Sequence, residues 1–326
     1  MESILTVCHA NDKTITMLPA SILESGNSHG RYNTVSATAE EIARLRKVLP
    51  PDTPLGAPPR NIYTFSYFAA LVRQNQDMKS EDPHTVKLPL WLAVEILSYQ
   101  NSYQITGVVS ETAIYEIEDA LSPFVQPDIF NTKRYFIRLN DYLPKDSEKA
   151  KMPISSLRQL VLCLLTSNRA RGDFEAHVME NRQVHIYLHV WDDEMARGVE
   201  FRCFVPPVAR FNDSRPRMVA ASQYYWHRSF PVAAFEPRDT VDVALTSAEE
   251  ILGQILSTAT ARGTLQELKA WSFTFDIVIK RGGRVQLVEV NPFGVDSRCG
   301  SCLFHWIDDA KLLYGGKNGI EVRLLI

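Results

Sequence analysis

The residues of this chain best placed to do chemistry are Asp276, Glu289 and Asn291, within Trp271 to Gly294 (WSFTFDIVIKRGGRVQLVEVNPFG). Phe273 to Lys280 and Arg284 to Val290 are rich in aromatic and β-branched residues. Gly282-Gly283 between them can take the positive φ angles of a two-residue hairpin turn. With these glycines as the turn, Arg281 faces Arg284, Lys280 faces Val285, and Asp276 faces Glu289. Side chains alternate along a strand, so Asn291 falls on the same side as Glu289. Opposed carboxylates repel, and among Phe, Ile, Val and Leu they are also partly desolvated. A cation between them relieves both costs. Oxygen ligands with no His or Cys on that face suit Mg²⁺, which takes one or two carboxylates and leaves its other positions to water and phosphate oxygens. The stretch points to a nucleotide-phosphate site. The other option is a surface hairpin with its acids in solvent. It fits less well, because both strands read as too apolar for a sheet edge.

Composition sets the outer limits. At 326 residues the chain can hold one large or two moderate domains, each with a core. It is 45% hydrophobic and 22% charged, with net charge −3, so no global basic field argues for nucleic acid. No apolar run approaches the roughly 20 residues of a membrane span. The first residues lack the basic-then-apolar pattern of a signal peptide. Five cysteines, an odd number, suit a reducing compartment better than a disulfide scaffold. The expectation is a cytoplasmic protein.

The elements that must position the acids can be read along the chain. Thr38 to Leu49 has the acid-early, base-late pattern of a short helix, with capping-box spacing at Thr38 and Glu41. Residues 50 to 60 (PPDTPLGAPPR) are a loop or linker. Helices are expected over 61–72, 90–99, 110–121 and 154–166, and strands over 85–89, 134–140, 182–191, 199–205 and 217–223. A second capping box, Thr246-x-x-Glu249, is expected to open a helix running to about Thr260. Arg169, Arg171 and Asp173 read as a polar loop. Strands and helices in this order, ending in a hairpin, give an α+β arrangement and not a regular βαβ alternation.

Other groups read as structural. Cys299 and Cys302 form one CxxC with no second pair to complete a zinc site, so they are expected to be structural thiols. His185 and His189 share one side of a strand with Trp191 and read as buried, hydrogen-bonded histidines. Trp226-His227-Arg228 follows a strand, where it could touch a substrate, although a structural role is the better reading.

Four blocks resemble the cell division cycle protein 123 (D123) family, whose fold is ATP-grasp-like. They are Phe136 to Asn140 with Pro144-Lys145-Asp146, then Glu200-Phe201-Arg202-Cys203-Phe204-Val205, then Ala221-Ser222-Gln223, and last Phe275-Asp276-Ile277 with Val288 to Gly294 and Leu303 to Trp306. Their order and spacing match over about residues 60 to 310. The resemblance implies an α+β, ATP-grasp-like fold of two α/β subdomains with a Mg²⁺-ATP site between them. An N-terminal segment over 1–60 would precede subdomains over 61–190 and 191–326.

By this likeness Asp276, Glu289 and Asn291 hold the metal. Arg138, Lys145, Glu200 and Arg202 face the nucleotide, and the strand ending at Trp191 lies where adenine would sit. Arg202 is the residue that would act in catalysis. Glu289 replaces the family's usual Asp, and Arg138 its Lys. Tyr224-Tyr225 stand where a charged pair is common, and His189-Val190 replace two cations. The implied role is ATP-dependent assembly of eukaryotic translation initiation factor 2 through its gamma subunit. The alternative is an ATP-grasp ligase that phosphorylates a small carboxylate for attack by an amine or thiol. Neither role calls for nucleic acid or membrane.

Overall fold

The computed structural model describes residues 5–9, 13–23, 32–51, 53–55, 62–76, 84–207, 215–297, 299–315 and 318–326. Most of the proline-rich stretch 50–60 lies outside them. In chain order the strands are β1 (Leu5–His9), β2 (Lys13–Leu18), β3 (His84–Leu88), β4 (Tyr135–Arg138), β5 (Val184–Val190), β6 (Val199–Val205), β7 (Ala220–Gln223), β8 (Phe273–Ile279), β9 (Val285–Pro292) and β10 (Ile320–Leu325). They form two sheets in two compact units, one of residues 1–76 with 194–326, the other of residues 77–193. The first 76 residues thus belong with the C-terminal part of the chain.

The larger unit carries a seven-stranded mixed sheet in the order β1-β2-β10-β7-β6-β8-β9. β10 runs parallel to both β2 and β7, and the remaining neighbours are antiparallel. The helices Phe65–Asn75 and Pro237–Ala261 pack on β8 and β9. The longer one buries Val241, Ala244, Leu245, Ala248, Ile251, Leu252 and Ile255, the three-and-four spacing of one helical face. It begins nine residues before the expected Thr246. Glu236 is its cap, with Oε2 accepting from the Asp239 amide at 2.8 Å, and Pro237 takes the first helical position, where no amide donor is needed. Thr246 and Glu249 are mid-helix residues. The capping box at Thr38 and Glu41 is present and opens the helix Ala39–Val48.

The smaller unit has a three-stranded antiparallel sheet, β3-β5-β4, and the helices Leu90–Thr106, Glu111–Leu121, Leu157–Thr166 and Asn168–Met179. Ile96, Ile117, Leu160, Leu164, Phe174, Ile186 and Leu188 are fully buried in its core. Residues 168–179 are helical, against the expected polar loop. Ser167 caps that helix by accepting from the Ala170 amide, and the Asp146 carboxylate accepts from the Ser167 hydroxyl and from the Arg169 amide at 3.1 Å. Its apolar face is narrow, Ala170 and Phe174, so periodicity alone does not reveal it.

Candidate nucleotide and metal site

The hairpin exists, but its turn is one residue longer than expected. Gly283 donates to the Lys280 carbonyl at 3.0 Å, and Lys280 donates to the Arg284 carbonyl at 2.8 Å, which leaves a three-residue loop, Arg281 to Gly283. Gly282 and Gly283 have φ of 93° and 82°, angles open to glycine at no steric cost. Near the turn Ile279 therefore faces Val285, and not Lys280. A bulge then absorbs the difference. Val288 is the extra residue between Leu287, paired to Ile277, and Glu289, paired to Asp276. The two acids do face each other, and Asn291 pairs with Thr274. β9 is the edge strand of its sheet, which its apolar sequence argued against. The helix Phe65–Asn75 packs on it, and Gln76 Nε2 donates to the Leu287 carbonyl at the bulge, 3.0 Å away. That cover explains how so apolar a strand can stand at an edge.

The pairing of β6 with β8 sets Arg202 opposite Asp276, so Arg202, Asp276 and Glu289 form one row across three strands. Asp276 is fully buried, and Arg202 and Glu289 nearly so. Arg202 grips Asp276 with two parallel bonds, Nε to Oδ1 at 2.8 Å and a terminal nitrogen to Oδ2 at 2.7 Å. That same nitrogen lies 3.8 Å from Glu289 Oε1. The other terminal nitrogen donates to the Gly300 carbonyl at 2.7 Å, and the guanidinium lies 4.9 Å from the centre of the Tyr224 ring. Asn291 donates through Nδ2 to Glu289 Oε1 at 2.9 Å and to Asp276 Oδ2 at 3.3 Å. Burial pushes the Asp276 carboxyl up, to about 7, against the pull of Arg202, and the Glu289 charge adds to the rise.

The cation that the opposed acids call for is thus supplied in part by the chain itself. Two carboxylates meet one guanidinium, so the row still carries one net negative charge when both acids are ionised. The donor set is all oxygen: Asp276, Glu289 and the Asn291 carboxamide. The amide now turns its nitrogen to the acids, and a half-turn about its last bond would present the oxygen. The residues therefore fit a hard divalent cation.

Glu200 is two residues from Arg202 on β6, half-buried, opposite Val278. The larger unit thus brings together Glu200, Arg202, Asp276, Glu289 and Asn291. Arg138, Lys145 and Trp191 belong to the smaller unit. Arg138 is buried on β4 opposite Tyr187, Lys145 is exposed, and the Trp191 indole donates to Asp193 Oδ1 at 3.0 Å. Three features of the larger unit's site were not foreseen: the Arg202 pairing to Asp276, Tyr224 against Arg202, and Lys280 and Gln286, buried on either side of the turn. Pairing of strands far apart in sequence creates the first two, and no local pattern encodes them.

Cys299 and Cys302 are buried free thiols, and burial pushes Cys299 up to about 11 and Cys302 higher. Their loop serves Arg202 through the Gly300 carbonyl, and His305 Nδ1 accepts from the Ile307 and Asp308 amides. His189 is buried and His185 partly so, and the latter lies 3.4 Å from the Asn140 amide. Among the described residues a second polar cluster, Asp141, Asp173 and His177, ties the end of β4 to the helix Asn168–Met179: Asp173 Oδ1 accepts from the Asp141 amide at 2.8 Å.

No protein-family profile and no curated protein matches the chain. Among solved structures, Cdc123 from Schizosaccharomyces pombe is similar, with a TM-score of 0.52 at 19% identity over 84% of this chain and 99% of that one. The chain is Cdc123-like in fold.

Proposed function

We propose that this chain is an ATP-grasp-like protein of the D123 type that binds Mg²⁺-ATP through the β8–β9 hairpin and acts as an ATP-dependent assembly chaperone for translation initiation factor 2 in the cytoplasm. The observation that carries ATP binding is the buried row Arg202–Asp276–Glu289, which keeps two desolvated carboxylates against one guanidinium. Asp276, Glu289 and Asn291 would hold the ion, which supplies charge neutralisation for phosphate oxygens when bound. Arg202 neutralises and aims Asp276, and the Gly300 carbonyl and the Tyr224 ring hold Arg202 in place. Glu200 stays on the same face beside them. Arg138, Lys145 and Trp191 are kept as nucleotide contacts on the sequence resemblance.

The state of Arg202 favours binding over turnover. Its two-fold grip on Asp276 and its bond to Gly300 leave it a positioning residue more than a group aimed at a substrate carboxylate. A ligase is the second possibility. Tyr224 and Tyr225 favour it, because an aromatic pair beside the site, where relatives are charged, implies a changed substrate or partner.

Calorimetry with Mg²⁺-ATP tests the site. Asp276→Ala and Asn291→Ala should each lose metal-dependent binding, and unchanged affinity in both would remove the assignment. Capture of the initiation factor's gamma subunit without ADP release supports the chaperone. ADP formed only when a small carboxylate is added supports the ligase.

A further inference from the structure

Between Leu88 and Thr132 the chain carries six acids, Glu95, Glu111, Glu116, Glu118, Asp119 and Asp128, and no Lys, Arg or His. Over the whole chain 35 Lys and Arg nearly balance 38 Asp and Glu, so this one-sided run is a local feature. The same stretch holds half of the exposed large hydrophobic side chains among the described residues: Trp91, Val94, Ile105, Val108, Tyr115 and Phe124. It supplies the helices Leu90–Thr106 and Glu111–Leu121 of the smaller unit, both packed on the helix Leu157–Thr166. The first of them buries Leu92, Ala93, Ile96, Gln100 and Tyr103. On its outer face Trp91, Val94, Ser98, Ser102 and Ile105 follow at three-and-four spacing, all exposed and none charged. Trp91 and Ile105, 57% and 86% exposed, end a stripe about 21 Å long at 1.5 Å per residue.

Acids border the stripe. Glu95 and Tyr99 lie beside it on the same helix, and the Tyr99 hydroxyl donates to Glu116 of the second helix. There Tyr115, 70% exposed, has Glu111 four residues before it and Asp119 four after, on the same helical face. Arg158 pairs with Glu111 at 2.6 Å and lies 4.0 Å from Glu118. Among the described residues no base pairs with Glu95, Glu116, Asp119 or Asp128. A charge-free apolar stripe rimmed by acids is the complement of a helix with one apolar face and basic flanks. A second copy of this chain fits poorly, because it would bring a like rim of acids, and anionic lipid is repelled for the same reason. We propose that the helices Leu90–Thr106 and Glu111–Leu121 form a docking face for a basic amphipathic helix of a protein partner. Trp91 and Ile105 are its apolar anchors, and the acids steer the partner and set its orientation. The face uses no residue assigned to nucleotide or metal, so it stands or falls apart from the Mg²⁺-ATP function.

The test uses the full chain without nucleotide and three synthetic peptides, each about five helical turns long. One has leucines on one face and lysines on the other. The second has glutamates in place of the lysines, and the third scrambles the first so that no apolar face remains. Fluorescence anisotropy measures affinity, and hydrogen exchange maps the site. The leucine–lysine peptide should bind at least tenfold more tightly than the other two, weaken several-fold with added salt, and protect amides within residues 90–121. Trp91→Ser and Ile105→Lys should each weaken it about tenfold and leave the unfolding temperature unchanged, since both side chains are exposed. Glu95→Lys with Glu116→Lys should shift preference toward the glutamate peptide. Equal binding of the leucine–lysine and scrambled peptides, unchanged affinity in Trp91→Ser and Ile105→Lys, or protection only outside residues 90–121 overturns the proposal. So does a dimer of the chain in sedimentation that Ile105→Lys dissolves, which assigns the face to a second copy. Binding of phosphatidylcholine vesicles that is lost in Trp91→Ser overturns it too, by assigning the face to lipid.

Discussion

Two arginines, Arg202 buried and Arg323 half-buried, lie on one rung of the seven-stranded sheet. β7 separates them, with Ser222 facing each. Arg202 grips Asp276 at 2.7 and 2.8 Å, touches a backbone carbonyl and lies against Tyr224. Arg323 grips Asp309 at 2.7 and 2.8 Å, donates to the Leu303 carbonyl and lies 4.1 Å from the centre of the Phe304 ring. Each also has a second acid, Glu289 in one case and Glu321 in the other. The difference is water. The side chains of Arg323, Asp309 and Glu321 keep 17%, 21% and 15% of their exposure, whereas those of Arg202, Asp276 and Glu289 keep 6%, 0% and 9%. Solvent can offset the surplus charge around Arg323, which leaves a structural knot. Around Arg202 it cannot, and the surplus is available to a cation.

That contrast can be broken most sharply at Arg202. Arg202→Ala leaves two acids buried together and should cost about 3–5 kcal/mol in urea unfolding. Millimolar Mg²⁺ should restore part of the loss. An Mg²⁺ response no larger than that of wild type would mean the acids are not a cation site. Arg323→Ala should cost less, about 1–3 kcal/mol, because its partners can rehydrate. Mg²⁺ should not restore that loss.

A smaller effect sharpens the same contrast through pH. Burial raises Asp276 from 3.8 to about 7 in the folded protein, so the native state holds this proton more tightly than the unfolded chain. Its contribution to stability is full below pH 3.8 and is lost as pH rises through 7. Asp276→Asn should flatten that fall in urea unfolding. A cation needs the ionised acid, so Mg²⁺-ATP affinity should rise about tenfold from pH 6 to pH 8, the change in ionised fraction for such a group. Titration calorimetry at the two pH values measures it, and a flat profile would place Asp276 outside the metal site.

The acid pair was legible in the sequence for a reason that is partly fortuitous. Counting outward from a two-residue turn set Asp276 opposite Glu289, whereas the turn holds three residues and the Val288 bulge cancels the shift. Composition signals that a turn is present, but its length and any bulge depend on how the strands settle against their neighbours. Local chemistry carried the capping box at Thr38 and misled at Thr246, where the same spacing falls inside a helix begun by Glu236 and Pro237. The need for a cation was readable from the carboxylates. That part of it is Arg202, 74 residues from Asp276, was not, because only the β6–β8 pairing brings them together.

The central place of β10 bears on how the chain folds. β2 at residues 13–18 joins the rest of its sheet through residues 320–325, so about 300 residues intervene between the two sides of one strand pair. A contact of such sequence separation closes a very long loop and forms late in folding. The β6–β8–β9 row that bears the acids uses shorter separations and does not pair with β10. The hairpin can therefore set its register early, and the N-terminal strands join the sheet afterwards.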